Sequence, residues 1–128
     1  MHFVRHMARL RLVALITCFV AVSYFLCRPE PAPMLLTGIV PPDVEDKIWH
    51  FSAFLALSVG GLAMFSSRKK TVVLVLFLFG VGAEFLQGTE LLPRRAFSLT
   101  DIAADVGGLL GGYFIFIWRC RGKAVKNC

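Results

Sequence analysis

A chain of 128 residues that is 57% apolar, with a mean hydropathy of +0.71, has too little polar surface for a small water-soluble domain. Its net charge of +6 does not point to nucleic acid, which is excluded as a partner, because the basic residues fall in short clusters beside apolar runs. Attraction to anionic lipid headgroups is the simpler account of such clusters, so membrane lipids are the first expected partner. The expected fold is all-α: a four-helix transmembrane bundle forming a single integral membrane domain over 1–128. Its spans are placed near 10–27, 48–66, 71–88 and 100–118, each close to the roughly 20 residues that cross a hydrocarbon core.

The first span follows Arg5, Arg9 and Arg11, an arrangement shared with secretory signal peptides. Before Arg28, however, stand Tyr24, Phe25, Leu26 and Cys27, where signal peptidase needs small residues, so an uncleaved anchor is expected. Pro29, Pro31 and Pro33 then end the helix and lead into a loop. Pro41 and Pro42, followed by Asp43, Glu45 and Asp46, read as a helix N-terminus opening the second span. Asp46 and His50 lie one turn apart on a shared face, with Lys47 also adjacent to His50.

The third span begins after Arg68, Lys69 and Lys70 and ends with Glu84 and Gln87. Following Arg94 and Arg95, the fourth opens with Ser98 and Asp101, a capping-box spacing, and carries Asp105 about 6 Å deeper by helical rise. Gly107 with Gly111, and Gly108 with Gly112, form overlapping GxxxG patterns, read as packing within the chain rather than dimerisation. Trp49, Trp118, Tyr24 and Tyr113 fall where interfacial aromatic anchors are expected.

Charge fixes the expected orientation. Arg5, Arg9, Arg11, Arg68, Lys69, Lys70, Arg119, Arg121, Lys123 and Lys126, ten of the fourteen basic residues, share one side with no Asp or Glu. All eight carboxylates lie on the other. The positive-inside bias makes the basic side cytoplasmic, with both termini inside. Cys18 then lies mid-membrane, Cys27 at the outer end, and Cys120 and Cys128 inside. No outer pair can oxidise and no closely spaced Cys or His pair marks a zinc site, so the cysteines read as unpaired thiols and no metal ligand is assigned.

Ionisable groups interrupt the spans only toward the outer face, where Asp46, Lys47, His50, Glu84, Asp101 and Asp105 converge at one depth. A carboxylate at a helix centre costs about 2.5–3.5 kcal/mol on insertion scales and persists only with a partner or water. Glu84 is the sharpest case, because it sits near a helix C-terminus, where the dipole disfavours an anion. Its expected partners are Arg95, Lys47 or His50. The candidate catalytic residues are His50, Glu84, Asp101 and Asp46; Lys47 and Arg95 are candidate ligand-binding residues. Together they could supply a base, an orienting carboxylate and a cation. Helix bonding by buried polar groups is the competing reading.

The blocks Asp46–Lys47…His50–Phe51, Glu84…Gln87 and Arg95…Phe97–Ser98…Asp101, running into Gly107 and Gly111, occur in an order that resembles the VanZ-like family of bacterial membrane proteins. The likeness covers about 46–118. It implies a four-helix envelope protein of the bacterial cytoplasmic membrane linked to resistance to the glycopeptide teicoplanin, with Asp46, Lys47, His50, Glu84, Gln87, Arg95, Ser98 and Asp101 as its motif residues, so that Gln87 and Ser98 join the candidate ligand-binding residues, and it implies no reaction. Three functional readings follow: an enzyme acting on a phosphate-bearing envelope lipid or glycan precursor, a non-catalytic scaffold that binds such a precursor or a membrane protein partner, and an ion or proton path. The path ranks last because, past Arg11 at the edge of the first span, the inner halves of the spans hold no Asp, Glu, His, Lys or Arg. No nucleophile elbow or phosphate-cradling loop decides between the first two. The sequence fixes no cofactor; a divalent ion bridging the outer carboxylates stays open.

Overall fold

A computed structural model describes residues 2–26, 39–89 and 96–122. Within them lie four α-helices, α1 (His2–Leu26), α2 (Pro42–Met64), α3 (Lys69–Gln87) and α4 (Leu99–Gly122), and no strand. Three apolar segments are long enough to cross a membrane: Pro42–Met64, Ser66–Gln87 and Leu99–Arg121. In α1 the apolar stretch is Leu12–Tyr24, shorter than a span, and the expected first span 10–27 runs on to Cys27, outside the described residues.

Local chemistry sets the helix ends. Proline occupies the first helical position of α2, where a missing N–H costs nothing, and Asp43 and Glu45 complement the dipole there. The Pro41 carbonyl accepts the N–H groups of Val44 and Glu45, both at 3.0 Å. The second helix thus begins six residues before the expected 48 and takes the acidic segment into its first turns. A single 3-10 turn, Ser66–Arg68, reverses the chain into α3. The far end of α3 is closed by the Gly88 N–H, which donates to the Glu84 carbonyl at 3.0 Å.

The bundle is built around a close, parallel α2–α4 contact. A Cβ at Gly108 would overlap the Phe51 carbonyl oxygen, and one at Gly112 would lie 2.6 Å from Ser58 Cβ. Gly107 and Gly111 face Phe51 and Leu55 of the same helix. Both GxxxG patterns therefore pack α4 on α2 inside the chain, and Ser58 Oγ donates across the seam to the Leu109 carbonyl at 2.9 Å. Phe54, Leu57, Leu76, Ala83 and Leu109 fill the centre, joined by Val22 of α1. The Phe79 ring links α1 to the core, with centroids 4.6 Å from Phe19 and 5.9 Å from Phe54.

Burial is inverted relative to a water-soluble bundle. Leu74, Leu78, Phe85, Leu110, Phe114 and Trp118 are more than half exposed, whereas Glu45, His50, Ser58, Glu84, Gln87, Asp101 and Asp105 are buried. Such a surface matches apolar lipid tails, which cost nothing to leave exposed, while the polar groups take their partners from other helices. Toward the basic end, α1, α2 and α3 diverge around an apolar groove of about 440 Å³ lined by residues including Leu12, Ile16, Leu57, Gly61 and Val72.

Candidate functional site

The buried ionisable groups gather at the end of the bundle where α2 and α4 begin and α3 finishes. His50 lies two turns into α2 and is 2% exposed. Its Nδ1 is 2.9 Å from Asp105 Oδ1 of α4. An ionised carboxylate only accepts, so with Asp105 ionised the bond places an imidazole proton on Nδ1, and Nε2 of the neutral ring then carries the lone pair. Asp105 reaches this position because Gly80 of α3 has no side chain; a Cβ there would sit 2.9 Å from Asp105 Oδ2.

On the other edge of the ring, Nε2 faces Glu84 Oε1 of α3 at 3.9 Å, too far for a hydrogen bond. Glu84 is fully buried, and Oε1 makes no hydrogen bond. Its second oxygen, Oε2, accepts the backbone N–H of Ser98 at 3.1 Å. That bond changes the meaning of the Ser98–Asp101 spacing. Ser98 Oγ does accept the Asp101 N–H at 3.2 Å, as an N-cap should, but the return bond to the Ser98 N–H comes from Glu84 on another helix. Asp101 is thereby freed from capping, and its Oδ1 lies 3.7 Å from Lys47 Nζ. Lys47 also donates to the Asp43 carbonyl at 2.9 Å.

Asp46, half-buried, completes the arrangement. One ring nitrogen of His50 and one carboxylate oxygen from each of Asp46 and Asp101 lie within 4.8 Å of one another. Gln87 is buried one turn beyond Glu84. Arg94 and Arg95, expected as cations here, lie outside the described residues. Of the expected partners of Glu84, His50 is the one placed beside it, whereas Lys47 pairs with Asp101.

Two assignments change. The carboxylate that orients His50 is Asp105, which was absent from the candidate set although its depth had marked it as unexplained by capping. Asp46 lies one turn from His50 within α2, but the hydrogen-bonded partner comes from α4, and only the parallel α2–α4 packing sets that pairing. Separately, Cys120 is disulfide-bonded rather than the expected unpaired thiol.

The hydroxyls near the site are already engaged. Ser98 Oγ caps α4 and shares a 2.9 Å hydrogen bond with Thr100 Oγ1, and among the described residues no base is hydrogen-bonded to either in a nucleophile pair. What the cluster offers is an oriented imidazole acceptor, surrounded by carboxylates, with one lysine at the rim. Comparisons with protein-family models, with curated proteins and with solved structures find no match.

Proposed function

We propose that this chain is a multi-pass protein of the bacterial cytoplasmic membrane, with both termini inside and the His50 cluster at the outer face. There it binds the headgroup of a phosphate-bearing envelope lipid or glycan precursor and transfers a proton to or from it. The observation that carries this reading is the His50–Asp105 pair, which holds an imidazole in one tautomer with Nε2 directed at other polar groups. Orientation of a neutral histidine by a buried carboxylate is what acid–base catalysis requires, and packing alone does not need it. The helix N-termini of α2 and α4 with Lys47 favour an anion at this end. The resemblance to the VanZ-like family supports an envelope role connected with teicoplanin resistance.

α1 completes the bundle as a fourth crossing in this reading, which the basic clusters on one side support. A cysteine substituted for Lys123 is expected to resist a membrane-impermeant thiol reagent in intact cells, while Thr89→Cys reacts. Labelling at 123 from outside would overturn the orientation.

A binder without turnover is the second reading, favoured by the engaged hydroxyls of Ser98 and Thr100. An ion path is disfavoured by the cavity beneath Asp105, which holds only about 10 Å³ among Phe54, Leu76, Phe77 and Leu109. That volume admits one water at most. The deciding experiment incubates lipid-reconstituted protein with labelled envelope lipid precursors and scores mass change. Turnover lost in His50→Gln and Glu84→Gln, at unchanged membrane abundance, is the expected result. Saturable binding without mass change selects the binder, and activity that merely follows abundance removes the site altogether.

A further inference from the structure

Two acceptors face each other at the centre of the cluster. With Nδ1 on Asp105, Nε2 of the neutral His50 ring turns its lone pair toward Glu84 Oε1, a fully buried oxygen with no hydrogen-bond partner, 3.9 Å away. Asp101 Oδ1, also buried, makes no hydrogen bond either, and its approach to Lys47 at 3.7 Å is Coulombic only. Acceptors and carboxylates oriented toward one another out of water are unfavourable unless a donor or a cation lies between them. Among the described residues, Asp43, Glu45, Asp46, Glu84, Asp101 and Asp105 bring six carboxylates to this end of the bundle, and Lys47 is placed against Asp101.

We propose that Asp46, His50 Nε2 and Asp101 bind a single divalent transition-metal ion, of the Mn²⁺ or Zn²⁺ class, with Glu84 Oε1 as the oxygen next in reach. One ring nitrogen of His50 and one carboxylate oxygen from each of Asp46 and Asp101 already lie within 4.8 Å of one another. Ligands about 2.1 Å from one ion are separated by roughly 3–4.2 Å, so small side-chain rotations close the set. An imidazole beside carboxylates selects a first-row transition ion over Mg²⁺ or Ca²⁺. The Asp105–His50 bond is the outer-shell contact that metal-bound histidines carry: a carboxylate on the far nitrogen that fixes the tautomer and raises basicity. Lys47, with its side chain 35% exposed, is the cation that the metal displaces from Asp101.

The ion also answers a difficulty in the proposed function, since a ring of carboxylates repels a phosphate unless a cation bridges them. That last step rests on the envelope-precursor reading; metal binding itself does not. The test uses the full chain in detergent, stripped with a chelator and titrated with Mn²⁺, free Mn²⁺ being read by electron paramagnetic resonance and imidazole coordination by nitrogen coupling to the bound ion. One ion per chain with nitrogen coupling is expected. Asp46→Asn, His50→Gln and Asp101→Asn should each weaken binding at least about tenfold. Lys47→Gln should tighten it, because a competing cation is gone. Helical circular dichroism checks folding, and should His50→Gln fail to fold, the rim variants Asp46→Asn and Lys47→Gln carry the test. Binding below one equivalent, the absence of nitrogen coupling, or affinity unchanged by Asp46→Asn and Lys47→Gln overturns the proposal. Failure to bind metal with precursor turnover intact sinks the ion alone. Metal binding without any precursor binding or turnover sinks the function instead.

Discussion

Gly108→Leu is expected to abolish the assembled bundle while leaving the chain inserted in the membrane. Any Cβ at position 108 overlaps the Phe51 carbonyl oxygen and lies 2.9 Å from the Leu55 nitrogen, and both are backbone atoms of α2. Overpacking against movable side chains costs about 1–3 kcal/mol, but backbone held in a helix cannot turn aside, so the cost here lies at or beyond the top of that range. Separating α2 from α4 would also remove the Ser58–Leu109 hydrogen bond and draw Asp105 away from His50. Insertion depends on the hydropathy of each span, which leucine increases. Gly82→Leu is the matched control, because nothing lies within 4 Å of a Cβ there. Thermal unfolding of the purified proteins should show no cooperative transition for Gly108→Leu and a midpoint near that of the parent for Gly82→Leu. A parental transition for Gly108→Leu would mean that the α2–α4 seam is not formed.

Asp105→Asn is expected to lower envelope activity about 10- to 100-fold at unchanged abundance, the usual loss when an outer-shell carboxylate is removed from a working histidine. The substitution keeps the shape of the side chain and takes away its charge. If the amide turns its NH₂ toward His50, it donates to Nδ1, moves the ring proton to Nε2 and removes the lone pair on which both proton transfer and metal binding depend. If it turns its oxygen there instead, the NH₂ is driven toward Gly80 and the Phe54 ring, where apolar walls leave a buried donor unsatisfied. Either arrangement loses function, the first through the tautomer and the second through strain. Teicoplanin susceptibility and precursor turnover, measured on matched amounts of membrane protein, give the readout. Asp43→Asn, at an exposed first-turn carboxylate, should behave as the parent does. Equal activity for both variants would show that Asp105 only bonds α4 to α2.

Much of the site was legible in the sequence because membrane insertion penalises each buried charge by itself, without reference to its neighbours. Glu84 and Asp105 stood out for that reason, whereas Asp46 and Asp101 also suit the first turns of helices, and the common depth of the cluster followed from span direction. The glycine patterns were readable for a similar reason: small residues four apart mark one helix face wherever that face packs.

Pairing was not legible, since it depends on how one helix rotates against the next. Asp46 and Asp105 are both chemically suited to orient His50, and the choice of Asp105 follows from Phe51 resting on Gly108, which turns that face of α2 toward α4. The spacing of Ser98 and Asp101 is that of a self-contained cap, yet Glu84 arrives from α3 to take the Ser98 N–H, releasing Asp101 toward Lys47. By itself, then, the sequence determined the helical class, the apolar spans and which groups are too costly to bury alone, because hydropathy and desolvation are properties of single residues. Which carboxylate serves which donor was decided by tertiary structure, because hydrogen bonds require contact within about 3 Å and adjacent turns of different helices offer several partners of equal chemistry.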